Sequence, residues 1–306
     1  MTIDERIKSA LSHCLTETHY NWGPKISGKV RDTYDAGDSL MMVTTDRLSA
    51  FDRILAAIPF KGEVLTQISA WWFEQTKHII ANHILEIPKA NVMRVKKATV
   101  FPVEFVMRGY ITGSTGTSLW KQYESGIRNY CGYTFSDGLT KNQKLAKPLL
   151  TPSTKDVLHD KSVSAQEILE MGLMTEKEWE YASKKAQELY EFGAALALKH
   201  GVILVDTKYE MGKDADGNII LIDEVHTPDS SRYWMASTYQ EKIANGEEPD
   251  NFDKEFLRLW FAKHCKPYED EVLPAAPEEL VITLSKRYIQ LYEMITGLTF
   301  QFKQYE

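Results

Sequence analysis

Strands lead and helices follow along this chain, the segregation that gives an α+β fold. Three observations carry that expectation. The first half holds short apolar runs split by turn residues, such as Ser39–Thr44 after Asp35-Ala36-Gly37-Asp38. From Ser164 onward, apolar residues recur at helical spacing behind capping-box pairs. Among these helices, two apolar stretches near 202–212 and 219–225 flank the turn 213–218, which reads as a hairpin.

The remaining elements follow in order. A helix is expected over about 65–80, with Trp71, Trp72 and Phe73 as its bulk. Val92–Val95 and Phe101–Arg108 read as strands, and Pro102 bars a regular central ladder at its position. Gly109, Gly113 and Gly116 mark a domain boundary near residue 112, which divides the chain into 1–112 and 113–306. Residues 129–160 lack periodicity and carry Gly132, Gly138, Pro148 and Pro152, so a long loop is expected there. Ser164 with Glu167 and Thr175 with Glu178 open two helices, and Gly172 stops the first. Trp179, Ala182, Ala186, Leu189 and Leu196 make the apolar stripe of the second. The tail is helical over 253–264 and about 277–295, with Gly297 as the final stop.

Composition limits the function classes. The 306 residues are 43% hydrophobic and 26% charged, enough for a sizeable core and unlike a disordered or fibrous chain. No apolar stretch approaches the roughly 18–20 residues of a membrane helix, and the N-terminus has no apolar signal core. A formal charge of -7 argues against nucleic acid as partner. Cys14, Cys131 and Cys265 are too few and too scattered for a disulfide framework or a zinc knuckle. A reducing, cytoplasmic setting is expected.

The strongest chemical signal is Asp206-Thr207-Lys208-Tyr209-Glu210. On a strand, alternate side chains share a face. Asp206, Lys208 and Glu210 then point one way, and Val205, Thr207, Tyr209 and Met211 point into the core. Asp223, on the paired strand, is expected close to the charged row. Crowded carboxylates repel unless a hard cation such as Mg²⁺ neutralises them. A solvated, ion-paired strand face is the other reading.

Four turns could receive anions. Gly28-Lys29-Val30-Arg31 sets a glycine beside two cations, though it lacks P-loop spacing and the full kinase glycine pattern. A plain surface hairpin fits it too. Arg108-Gly109-Tyr110-Ile111-Thr112-Gly113-Ser114 reads as an oxyanion cradle or as a structural turn. Thr227-Pro228-Asp229-Ser230-Ser231-Arg232 offers hydroxyls and a guanidinium. Pro152-Ser153-Thr154-Lys155 is a similar, shorter turn.

Seven of these stretches, in order, resemble the SAICAR synthetase family. They are GKVRDTY at 28–34, TTDRLSAFD at 44–52, VMRGYITGS at 106–114, TPSTK at 151–155, DTKYEMG at 206–212, DEVHTPDSSRYW at 223–234 and FDKEFLRLW at 252–260. The resemblance implies an α+β enzyme with a kinase-like, β-rich N-terminal lobe covering ATP and an ATP-grasp-like second domain. It implies a ligase that joins L-aspartate to the carboxylate of an imidazole ribonucleotide, with ATP and Mg²⁺ as cofactors, small molecules as partners, and neither nucleic acid nor membrane among them. The family contains monomers and oligomers, and a monomer is the expectation carried forward. Two rivals are a small-molecule kinase, against which the absence of an HRD-type loop and a DFG argues, and a nucleotide-binding protein without turnover.

By the same resemblance, Gly28, Lys29 and Arg31 would meet ATP phosphates, Glu104 the adenosine on a hinge segment, and Lys155 the nucleotide. Asp206, Glu210 and Asp223 would organise the metal. Lys208 would approach the imidazole carboxylate. Arg108, Ser114, Ser230, Ser231, Arg232 and Arg258 would hold the imidazole nucleotide, with Lys208, Asp206, Arg108 and Arg232 nearest the chemistry. Ser49, Asp46, the 229–231 loop and the Thr154–Lys155 turn stay open for the substrate aspartate. The 129–160 segment is expected to act as a lid that excludes water from an acyl phosphate.

Overall fold

The computed structural model describes residues 2–155 and 161–303. After helix α1 (Ile3–Ala10), the N-terminal strands are β1 (Lys25–Ser27), β2 (Arg31–Asp35), β3 (Ser39–Thr44), β4 (Arg47–Ala50), β5 (Arg53–Ala57), β6 (Ile84–Lys89) and β7 (Val92–Lys96). Five of them form an antiparallel sheet in the order β1-β2-β3-β7-β6, and β4 and β5 stand apart as a hairpin. The sheet is fixed to that hairpin by a buried arginine. The Arg47 guanidinium donates to Asp32 on β2 (2.8 Å) and to the carbonyls of Thr16 (2.6 Å) and Gly28 (2.9 Å). This is why an arginine inside Thr-Thr-Asp-Arg is buried, with its charge met by Asp32.

Helix α2 (Lys61–Thr76) starts four residues earlier than the apolar pattern suggests. No local side chain caps it. Asp46, from the β3–β4 turn, accepts the Gly62 N–H at 3.0 Å and that of Leu15 at 2.8 Å. A remote carboxylate therefore does the work of an N-cap, and no sequence window around residue 61 contains it. Asp46 is fully buried in this role.

The second sheet is built on one long strand. It comprises β8 (Thr99–Val100), β9 (Val103–Ile111), β12 (Gln143–Leu150), β13 (Ser153–Thr154), β14 (Val202–Lys213), β15 (Ile219–Ile222) and β16 (Ser231–Met235). The short strands β10 (Asn129–Tyr130) and β11 (Tyr133–Thr134) pair with each other. On one edge, β14 pairs first with β16 and then with β15. On the other it pairs first with β9 and then with β8. Pro102 stands between β8 and β9, where a missing N–H costs no ladder bond. The change of sheet thus falls at residues 97–99, earlier than the glycines around 112. β9 itself hydrogen-bonds into the second sheet.

Within the expected long loop over 129–160, the described residues 129–155 hold the four strands β10 to β13. β12 runs along β9, and Tyr130, Phe135 and Leu149 pack with Ile111, Leu119 and Tyr123 into a small separate core. The apolar residues here follow a ladder interrupted near Pro148, so no window shows clean alternation. The last residues of that segment, 156–160, lie outside the described ones.

Helices α3 (Leu119–Glu124), α4 (Ala165–Glu170), α5 (Glu176–Lys199), α6 (Ala236–Ala244), α7 (Glu255–His264) and α8 (Glu278–Thr296) complete the fold. Both capping boxes form, at Ser164 with Glu167 and at Thr175 with Glu178. Gly297 takes φ 70° and ends α8. α5 covers β14, β9 and β12, and α2 packs on α8. Among the described residues, no helix is long and apolar enough to cross a membrane.

One irregularity in β14 decides where the charged row points. Leu204 pairs with Tyr233 and Asp206 with Arg232, so Val205 is an extra residue, a β-bulge. Val205 does not share the core face of Tyr209 and Met211, as strict alternation suggests. It packs with Tyr110, Ile203, Trp234 and Tyr239, whereas Leu204, Tyr209 and Met211 join the main core. The bulge is pinned from α5. The Tyr190 hydroxyl reaches the carbonyls of Leu204 (2.8 Å) and Val205 (3.0 Å). Gly109 leaves it room, since a Cβ there would lie 2.1 Å from that hydroxyl oxygen. The glycine after Arg108 is thus a seat for Tyr190 within a strand. Tyr190→Phe would leave buried carbonyls without their donor. It is expected to cost about 1–3 kcal/mol, read as a lower urea midpoint, and an unchanged midpoint would contradict this account of the bulge.

Candidate active site

β9 and β14 lie side by side with Asp206 opposite Arg108 and Lys208 opposite Val106. Glu104, Arg108, Asp206, Lys208 and Glu210 therefore share one face, above a core of Phe105, Met107, Tyr209 and Met211. Lys208 Nζ is 2.6 Å from Glu104 and 3.0 Å from Glu210. Burial alone would lower the Lys208 pKa, but Glu210, Glu104 and Asp223 outweigh it and hold the ammonium charged. The second oxygen of Glu210 is paired with Lys155, and Ser153 donates to Glu104 at 3.3 Å. The short strand β13, which pairs with β9 at Val103 and Glu104, delivers both groups.

The other wall comes from the N-terminal sheet. Arg31, the first residue of β2, reaches Asp223 with one nitrogen and Glu224 with the other, the latter at 2.8 Å. Asp223 follows Ile222, the partner of Glu210 across the β14–β15 ladder. It adopts φ 66°, a left-handed conformation that turns the chain out of the sheet at this point. Between β15 and β16 the chain then loops away from β14, and the Lys208 N–H donates to the Ser230 carbonyl at 3.1 Å.

That loop rests on a buried ion pair. Lys61, fully buried at the start of α2, lies 2.7 Å from Asp229, and the Tyr288 hydroxyl donates to Asp229 at 2.8 Å. Burial would raise the Asp229 carboxyl, but Lys254 and Lys61 outweigh it and keep it ionised. Ser231 donates to Thr207 at 2.8 Å and fixes the other end of the loop. His226, at φ 50°, is sealed inside, and burial lowers it to about 3, so it is a neutral partner of the Tyr209 hydroxyl.

A cavity of about 230 Å³ opens beside this loop, lined by Arg108, Lys208, Ser230, Arg232, Lys254 and Arg258 among others. Arg232 pairs with Asp206, and Arg108 stands 3.6 Å from the same carboxylate while donating to Thr151 at 2.8 Å. Arg258 is 2.9 Å from Glu255, which also accepts from Ser114. Asp253 is buried near Arg232, and desolvation raises it to about 6 against the pull of that arginine.

The expected residues thus fall into two groups. Arg31, Glu104, Lys155, Lys208, Glu210 and Asp223 converge where the two sheets face each other. Arg108, Ser114, Ser230, Arg232 and Arg258 gather around or beside the cavity, with Ser231 turned to Thr207. Gly28 closes the β1–β2 turn, its N–H donating to the Arg31 carbonyl at 2.7 Å, and Lys29 pairs at the surface with Asp52. The expected metal trio does not come together. Asp206 is engaged by arginines, away from Glu210 and Asp223. Among the described residues no three acidic, His or Cys side chains form a group that would hold an ion. Glu210, engaged by Lys155 and Lys208, and Asp223, engaged by Arg31, are the members of the trio left where the sheets face each other, and carboxylate oxygens are the hard donors that Mg²⁺ takes.

Lys61, Glu224, Asp253, Lys254 and Glu255 stand beside these groups although no motif singled them out by role. Lys61 is the hardest to foresee, because a lysine at the start of a helix ordinarily faces water. Lys61→Met would leave a buried carboxylate short of its counter-ion. An apparent loss of about 3–5 kcal/mol in urea unfolding is expected, and a loss below about 1 kcal/mol would contradict the role given to the pair.

Comparison with known proteins converges on one family. The SAICAR synthetase model matches residues 25–275. A phosphoribosylaminoimidazole-succinocarboxamide synthase of Legionella pneumophila is 60% identical over 287 residues, covering 94% of this chain and 92% of that protein. A chloroplastic enzyme of the same name from Arabidopsis thaliana is 60% identical over 296 residues, covering 95% of this chain and 72% of that one. Among solved structures, the SAICAR synthase of Saccharomyces cerevisiae complexed with SAICAR superposes with a TM-score of 0.80 at 33% identity, covering 94% of this chain and 100% of that one.

Proposed function

The chain belongs to the SAICAR synthetase family, and from that premise we propose how its residues carry the family's reaction. The protein is an ATP-dependent ligase. It joins L-aspartate to the carboxylate of 5-amino-1-(5-phospho-D-ribosyl)imidazole-4-carboxylate, giving SAICAR, ADP and phosphate. The observation that carries the assignment of roles is Lys208, held charged between Glu104 and Glu210 at the meeting of the two groups.

A carboxylate does not accept an amine, because its leaving group would be oxide. Phosphorylation removes the obstacle. A carboxylate oxygen of the imidazole nucleotide attacks the γ-phosphorus of ATP, the bond to ADP breaks, and an acyl phosphate forms. The aspartate amine then attacks the acyl carbon, phosphate departs, and the nitrogen loses a proton. Every reactant is an anion, so the protein's main contribution is to position them and compensate charge.

In this reading ATP lies where the N-terminal sheet faces β14. Lys29 and Arg31 meet its phosphates from the β1–β2 turn, Lys155 meets them from β13, and Glu104 receives the adenosine. Glu210 and Asp223 would hold a Mg²⁺ borne by the phosphates, which would offset negative charge there. Lys208 directs the acceptor carboxylate towards the phosphoryl group. Arg108, Arg232, Arg258 and the hydroxyls of Ser114, Ser230 and Ser231 take the rest of the imidazole nucleotide. Asp206 orients the two arginines instead of binding metal. The three cysteines are free, in keeping with a reducing, cytoplasmic setting. A monomer is the state this reading carries.

The test is stoichiometry. With Mg-ATP, the imidazole carboxylate nucleotide and L-aspartate, one ADP is expected per succinocarboxamide formed, and omission of any substrate stops both. Lys208→Met is expected to lower kcat by roughly 100-fold or more. ADP release that continues at full rate without L-aspartate would overturn the ligase reading, and full activity of Lys208→Met would overturn the role of the lysine.

A further inference from the structure

A second cavity, of about 740 Å³, opens beside the start of α2. It is larger than the 230 Å³ cavity at the 223–230 loop and shares no described lining residue with it. Its volume falls within the roughly 300–1,000 Å³ of small-molecule sites. The first turn of α2 separates the two. Lys61 faces Asp229 of the loop, whereas Phe60 and Asp46, which meet the same turn, line the second cavity. The roles proposed for the ligase reaction use none of its residues.

The wall combines cations with aromatic rings. Arg6, His13 and Lys303 supply the charge, and Phe60 and Phe302 the rings. Among the described residues Arg6 forms no ion pair, and its guanidinium lies 5.0 Å from the Phe302 ring, a cation–π distance. His13 is engaged at Nδ1, 3.1 Å from both the Ser9 carbonyl and the Ser12 hydroxyl, which leaves Nε2 for a ligand. Asp46 is the one carboxylate among the described lining residues, and the N–H groups of Leu15 and Gly62 already meet it. The rings are held in place. Phe302 stands 5.0 Å from Phe60 with the planes at 82°, so the two make a corner. Phe302 packs on Phe300, and Phe300 on Tyr292 of α8. The Phe300 N–H donates to Glu293 at 2.9 Å and the Lys303 N–H to Glu63 at 3.2 Å. Glu63 is fully buried, and burial pushes its carboxyl up to about 8. It is therefore largely uncharged at neutral pH and sets little negative charge against an anion.

We propose that this cavity binds an aromatic ring bearing a phosphate or carboxylate, with the anion on Arg6 and the ring in the corner of Phe60 and Phe302. A flat ring placed there meets one phenyl face and one phenyl edge, the arrangements that aromatic pairs favour. The Arg6 fork can take two oxygens of the anion at once, and His13 and Lys303 add donors beside it. Neither half of the wall suffices alone: the cations face water, and the rings without an anion have no means to orient a ligand.

The experiment is equilibrium dialysis of naphthyl phosphate against the protein saturated with ADP and SAICAR, which keeps the probe out of the substrate site. One saturable site per chain is expected, with a Kd at or below about 1 mM. Arg6→Met should raise that Kd about 10-fold or more, and Phe302→Leu about 3-fold or more. Inorganic phosphate should bind the same protein about 10-fold more weakly or worse. SAICAR formation by Arg6→Met should stay within about 2-fold of the wild type, which shows that the variant is folded. Should Arg6→Met fail to fold, Arg6→Gln is read by the same criterion. No saturable site, an unchanged Kd in the Arg6 variant, or phosphate bound as tightly as naphthyl phosphate would overturn the proposal.

Discussion

A lysine on a largely buried strand face stays charged only if anions stand beside it, and anions crowded there stay charged only if more cations surround them. Lys208 imposes this condition on the rest of the site. Glu104 and Glu210 satisfy its ammonium, and Lys155 and Ser153 satisfy what those carboxylates have left. Asp223 adds a further negative charge, and Arg31 crosses from the other sheet to meet it. The two sheets are therefore joined at the site by charge, over a floor of apolar residues. The members nearest the core, Glu104 and Glu210, would be the costliest to leave unpaired. A bound polyphosphate can take over some of these partners, which makes the cluster responsive to its ligand as well as stable without it.

The gap in the sheet is the second determinant. β15 and β16 share one edge of β14 but leave it uncovered around Lys208 and Tyr209, and the 223–230 loop occupies the opening. A loop over a binding site is useful only if it is held still. Lys61, Tyr288 and Lys254 converge on Asp229 for that purpose, and His226 and Ser231 fix the flanks. The ordering is established in the folded chain, so the hydroxyls and cations around the cavity need little rearrangement when substrate arrives.

Much of this was legible in residue order. The alternation in Asp206-Thr207-Lys208-Tyr209-Glu210 places three charged groups on one face, and the hairpin turn at 213–218 brings Asp223 back towards them. The two capping boxes mark α4 and α5 because both halves of each signal are local. Three features were not legible, for one shared reason: each depends on a residue remote in sequence. The bulge at Val205 needs Tyr190 and the space above Gly109. The start of α2 needs Asp46. The burial of Lys61 needs Asp229, 168 positions further on by subtraction of their numbers. The segment 129–155 misleads in another way, since its strands are short or interrupted, and turn residues outweigh the pattern.

The central claim is that Lys208 brings a carboxylate oxygen to the γ-phosphorus, so that one oxygen of the acceptor leaves with phosphate. The imidazole nucleotide labelled with ¹⁸O in its carboxylate tests this directly, with the phosphate product read by mass. The account predicts one labelled oxygen in each phosphate released during amide formation. Unlabelled phosphate, with SAICAR keeping one labelled oxygen and the other recovered in water, would contradict it.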